Sequence, residues 1–135
     1  MLNIDSEKKG NYYIIADHLR TTIFALADGA EFEPKGRGYI LKKLVKRATL
    51  LAHLLGLNNE QLQKVSEKLI AVNSTYYQHL KKKEAWIIGE LNKEINKTRE
   101  FIDKSTQELE KENYQFPERE FQKLLEKQKE KGRKD

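Results

Sequence analysis

The sequence predicts an all-α protein, a helical bundle with a long antiparallel αα-hairpin. Two observations carry this. Apolar residues recur at three- and four-residue spacing through most of the chain, the period of helices that each bury one stripe. Charged residues make up 35 % of the 135 positions and prolines number two, so the polar faces between the stripes suit solvated helix surfaces.

The first helix is expected to follow Gly10-Asn11, with Ile15, Leu19, Ile23 and Leu26 as its stripe and Asp28-Gly29 as its end. In the loop "AEFEPKGRG", Pro34 disfavours helix for Glu33, and Gly36 and Gly38 permit backbone angles or close approaches closed to other residues. The second helix is expected to start near Gly38 or Tyr39. On a wheel of about 100° per residue, Ile40, Leu41, Leu44, Val45, Ala48, Leu51, Ala52 and Leu55 fall within an arc of roughly 140°, and Lys42, Lys43, Lys46 and Arg47 fall on the other side.

Gly56 is a stop signal, and Asn58 with Gln61 reads as an N-cap with its capping-box partner. A third helix is expected from there to about His79 or Lys81, with Leu62, Val65, Leu69, Val72, Tyr76 and Leu80 as its stripe. From Glu84 onward, Ile87, Leu91, Ile95, Thr98, Ile102, Ser105 and Leu109 predict a long helix that returns antiparallel to it. "ENYQFP" breaks the pattern, and Pro117 suits the first turn of a final helix. The charged tail, residues 126–135, is expected to fray. The whole chain, 1–135, reads as a single helical domain.

Composition excludes several classes. No apolar run approaches the length of a membrane span, and with no cysteine there are neither disulfides nor thiolate metal sites. The start "MLNIDSEKKGN" lacks the apolar core of a secretory signal, which makes the cytosol, or an organelle matrix, the expected location. His18, His53 and His79 lie in separate segments without ligand spacing, so no metal site is expected. Asp17 and His18 are adjacent and point about 100° apart on a helix, which excludes a dyad made by the two together. Neither a P-loop nor a nucleophile elbow is present, and no catalytic residue is expected.

The sharper signal is "GRGYILKKLVKRA". No carboxylate occurs between Glu33 and Glu60, while the formal net charge of the chain is +5. Cations gathered on one helix face beside a helix N-terminus can displace counterions from a phosphate backbone. The same pattern also fits a solvated helix surface, or pairing with glutamates of the hairpin, and the residues alone leave these readings open.

Taken with the preceding "IIADHLRTTIFALADG", that segment resembles alanyl-tRNA synthetase, in the helical region that follows its class II catalytic domain. The resemblance rests on Ala16, Asp17, His18, Arg20, Phe24, Asp28, Gly29, Gly36, Arg37, Gly38, Tyr39, Leu41 and Ala48. It continues more loosely in "EINKTREFI", "ENYQFP" and "REFQKLLEKQKEKGRKD". It implies a region that grips the tRNA(Ala) acceptor stem and inspects its G·U pair, beside a catalytic domain that makes alanyl-adenylate. ATP and magnesium belong to that absent domain and zinc to an absent editing domain, so no cofactor is implied for these residues.

By the resemblance, the family's two G·U readers fall at Pro34, which offers no side-chain hydrogen bond, and at Glu112, one methylene longer than the family's aspartate. Phosphate contacts are implied for Arg37, Lys42, Lys43, Lys46 and Arg47, with Lys35 as a further source of specificity. The competing reading is a synthetase-derived protein-interaction module that uses the apolar hairpin stripe. An independent enzyme is disfavoured because no convergent site is visible.

Overall fold

The structure is a computed structural model that describes residues 2–111 and 126, with side chains described at 8–108 and 126. Over the described residues 2–111, five helices follow one another: α1 (Leu2–Ala27), α2 (Gly36–Leu54), α3 (Asn59–Asn73), α4 (Gln78–Lys82) and α5 (Glu84–Lys111). There is no strand among the described residues. The chain divides within α5 into two compact units, Met1–Asn96 and Lys97–Asp135. Glu112, the helix expected at Pro117 and the tail at 127–135 lie outside the described residues.

In the first unit, α1 packs against α2, α3 and α4. Its predicted stripe is its buried face: Ile15, Leu19, Ile23 and Leu26 are all at most 2 % exposed. Each such side chain contributes about 1.5–3 kcal/mol by leaving water. The helix begins at Leu2 rather than after Asn11. A glycine inside a helix costs only about 1 kcal/mol, and no proline interrupts at Gly10, so the helix runs through it. It ends as expected at Asp28-Gly29. The amide of Ala30 donates to Ala25 O and that of Gly29 to Leu26 O, with Gly29 at φ 104°, a Schellman closure.

Helix α2 starts at Gly36, two residues earlier than expected. Its buried face comprises Leu41, Val45, Ala48, Thr49, Leu51 and Ala52, while Ile40 is 55 % exposed. The buried arc is therefore rotated from the expected one toward Thr49. That residue tolerates burial because its hydroxyl donates to Val45 O at 2.8 Å. Gly56, at φ 76°, ends the helix through bonds from the amides of Gly56 and Leu57 to His53 O and Ala52 O. The capping box then forms as predicted: Asn58 Oδ1 accepts from the Gln61 amide, and Gln61 Oε1 accepts from the Asn58 amide, both at 2.8 Å.

Helix α3 stops at Asn73, short of the expected His79 or Lys81. The run Asn73-Ser74-Thr75 supplies competitors for helical bonding. Asn73 Nδ2 donates to Leu69 O, the Ser74 hydroxyl donates to Ile70 O, and Asn73 O accepts from the amides of both Tyr76 and Tyr77. Its buried stripe is Leu62, Ser66 and Ile70, leaving Val72 and Tyr76 of the expected stripe exposed.

The antiparallel hairpin is present, in the register set by two amide pairs. Asn59 Nδ2 donates to Asn96 Oδ1 at 3.0 Å. One helical turn on in α3 and one turn back in α5, Asn92 Nδ2 donates to Gln63 Oε1 at 3.1 Å. Ile87, Leu91 and Ile95 of α5 are buried as expected, as is Leu80 of α4. In the second unit, Thr98 and Ile102 are buried. There, burial pushes the Arg99 guanidinium down from its ordinary value, and the Asp103 carboxylate opposes the shift.

Candidate nucleic-acid interface

The loop after α1 closes onto the start of α2, and the two glycines of "GRG" serve different purposes. Gly36 sits at φ 68°, in the left-handed region that side chains resist. Gly38 is buried against the loop: a Cβ there would stand 2.6 Å from the Glu33 amide nitrogen and would also collide with Glu31 O. The chain segment 31–33 thus lies directly on the first turn of α2.

That turn is left electropositive. Lys35 occupies the N-cap in an extended conformation, makes no side-chain capping bond, and no acidic residue follows in the first turn. The unsatisfied amides at the N-terminus therefore add to the charges of Lys35 and Arg37, both exposed. Pro34 is exposed in the same loop.

Along the outer face, Tyr39 is 45 % exposed and the Lys43 ammonium lies 4.8 Å from the centre of its ring. The remaining predicted cations are not equivalent to Lys43. Lys42, Lys46 and Arg47 are half-buried on the flanks. Lys42 Nζ is 3.9 Å from Glu94 Oε1 of α5, so part of its charge is already matched inside the first unit. Of the six residues predicted to bind tRNA, Lys35, Arg37 and Lys43 are exposed, and Lys42, Lys46 and Arg47 are half-buried nearer the helix-packing surfaces. Glu112 lies outside the described residues.

Sequence reasoning passed over Glu94 and the stretch "YYQHLKKKEAW". There Lys81, Lys82 and Lys83 are exposed, as are Tyr76, Tyr77 and Trp86. The available signal was three consecutive lysines framed by aromatics. Lys83 Nζ donates to Ala27 O at 3.0 Å, and His79 Nε2 approaches Asp28 Oδ1 at 3.3 Å, so two basic groups meet the negative end of α1. Tyr77 packs edge-on against Phe24 with ring centres 5.1 Å apart.

Elsewhere, His18 Nδ1 stands 3.9 Å from Asp17 Oδ2, beyond hydrogen-bond distance. Among the described residues no group of three or more histidine or carboxylate side chains is placed to hold a metal ion. No described helix is long and apolar enough to cross a membrane.

An electropositive helix mouth in an all-helical frame is the site the geometry offers, and comparison with known proteins assigns it a lineage. Residues 3–130 match the model of the family described as tRNA synthetases class II (A), and the chain belongs to that family. Within it, the similarity is to alanine–tRNA ligases: 38 % identity to that of Rickettsia felis, 37 % to that of Rickettsia bellii and 38 % to that of Rickettsia prowazekii, each over 93 residues. These alignments cover 69 % of this chain and 11 % of each relative, so the chain corresponds to a small part of the ligases it matches.

Proposed function

We propose that this chain is a tRNA-binding domain of an alanine–tRNA ligase that grips the tRNA(Ala) acceptor stem through its phosphate backbone. On this reading it contributes to aminoacylation in protein synthesis, in the cytoplasm, beside a catalytic domain that carries the ATP, magnesium and alanine sites. The chain by itself does not catalyse. The observation that carries the reading is the cluster of Lys35, Arg37 and Lys43 around the uncapped N-terminus of α2, in a stretch without carboxylates from Pro34 to Asn59. A duplex end presents phosphates that such a cluster can contact, and Tyr39 adds an aromatic edge.

Pro34 cannot reproduce a side-chain hydrogen bond to a base pair, so backbone charge dominates affinity and Lys35 is the nearest side chain able to reach a base edge. The alternative, a protein-interaction module built on the hairpin stripe, is less well supported because Leu62, Leu80, Ile87, Leu91 and Ile95 are already buried within the chain.

The test is binding to an acceptor-stem hairpin with the G·U pair, beside its G·C variant, across a salt series. The expected result is affinity that falls steeply with salt, with joint alanine substitution of Lys35, Arg37 and Lys43 reducing the logarithmic slope by about two to three. Salt-insensitive binding, or an unchanged slope in the triple variant, would overturn it. A preference for G·U would assign the reading of that pair to residues other than Pro34.

A further inference from the structure

The loop that lies on Gly38 has a second neighbour. Glu31, whose carbonyl sits where a Gly38 side chain would be, also lines an open cleft with Leu26, Gly29, Lys83 and Trp86. Trp86 is therefore next to the very segment that packs on the first turn of α2, although 48 residues separate it from Gly38 in sequence. It is 41 % exposed, in the first turn of α5, and Lys81 and Lys82 are exposed in α4, ahead of Lys83, Glu84 and Ala85. Lys83 is fixed in place by its bond to Ala27 O.

The cleft itself suits a planar, uncharged group rather than a phosphate. Leu26, Gly29 and Trp86 are apolar, and the one lysine is balanced by the one glutamate. Two consecutive exposed lysines, Lys81 and Lys82, precede Lys83 on the α4 side, while the loop after α1 carries the exposed carboxylates of Asp28, Glu31 and Glu33. A half-exposed indole over an apolar cleft, with consecutive lysines on its α4 side, matches a strand whose base leaves the duplex while its phosphates face those lysines.

We propose that Trp86 is a stacking platform for an unpaired nucleobase at the end of the RNA duplex gripped by α2, with Lys81 and Lys82 contacting the flanking phosphates. The proposal rests on the RNA-binding reading above and extends its surface from α2 across the loop to the α4–α5 junction.

Trp86 is the sole tryptophan of the chain, so its fluorescence reports the cleft directly. The experiment titrates the full chain with a blunt RNA hairpin, the same hairpin with a single-stranded extension, and the same extension carrying abasic residues. Affinity is read from labelled RNA and stacking from tryptophan quenching. The expected result is quenching by the base-bearing extension alone, with affinity about tenfold above the blunt hairpin. Trp86→Leu should bind the base-bearing and abasic extensions alike, while leaving affinity for the blunt hairpin and its salt dependence unchanged. Lys81→Ala with Lys82→Ala, which leaves the cleft intact, should lower affinity for the extended RNAs and leave the blunt one unchanged.

Equal affinity and equal quenching for the base-bearing and abasic extensions would overturn stacking while leaving the α2 grip in place. If the blunt hairpin also failed to bind, the RNA-binding reading itself would fall, a separate and recognisable outcome.

Discussion

The ammonium of Lys42 on α2 lies 3.9 Å from the carboxylate of Glu94 on α5, a pair that joins the basic helix to the hairpin. The lysine side chain keeps 32 % of its accessible surface and the glutamate 14 %, so the pair is partly screened from water. One cation of the interface is thus held by the fold and competes between an internal partner and an external phosphate.

Neutralising the internal partner should release that cation. Glu94→Gln is expected to tighten RNA binding and steepen its logarithmic salt dependence by about one, with folding stability changed by no more than about 1 kcal/mol. Binding isotherms across a salt series check this. An unchanged slope would mean that Lys42 does not reach a phosphate.

Two glycine-to-alanine substitutions should act with opposite signs. At Gly10, in α1, an added Cβ meets nothing within 4 Å, and Gly10→Ala should raise stability by about 0.5–1 kcal/mol. At Gly38 the same methyl collides with backbone of the 31–33 segment, and Gly38→Ala should lower stability by about 1–3 kcal/mol. Urea denaturation of both variants decides the matter.

The bond from Lys83 to Ala27 O satisfies a carbonyl at the end of α1 and places positive charge at the negative end of its dipole. Lys83→Met keeps most of the aliphatic stem and removes the ammonium. A loss of about 1 kcal/mol is expected, measured by thermal or urea unfolding. Stability equal to that of the parent would show that water replaces the ammonium without penalty.

The capping box at α3 should behave as a local device. Asn58→Ala removes the acceptor for the Gln61 amide and should destabilise by about 1 kcal/mol, while Asn58→Gly should cost only a few tenths. Unfolding midpoints of the two variants distinguish loss of the side-chain bond from a general loop effect.

The parts of the fold that were legible in sequence are those set by near neighbours. The α1 stripe, the glycine stops at Gly29 and Gly56 and the Asn58–Gln61 box each depend on residues within one or two helical turns. The rotation of the α2 and α3 stripes was hidden by hydroxyls. Thr22, Thr49 and Ser66 read as polar, yet each donates to the carbonyl four residues earlier and is buried. A hydroxyl satisfied in this way occupies a core position at little cost, so an apolar-only wheel places the seam beside its true position.

The candidate site divides along the same line. Its exposed cations, Lys35, Arg37 and Lys43, stand out as a run without carboxylates. The distinction between Lys43 and Lys42 does not, because it depends on Glu94, and the cleft that Trp86 shares with Glu31 depends on how a loop folds over Gly38. Contacts between distant segments leave no periodic trace for a wheel to find.

The two rungs that align α3 with α5, Asn59 with Asn96 and Gln63 with Asn92, are built from carboxamides. None of these groups titrates in the physiological range, and none attracts a counterion. Ionic strength and pH can therefore be varied widely while this pairing keeps its alignment, so a salt titration of RNA binding reads the interface on α2 without loosening the hairpin beneath it.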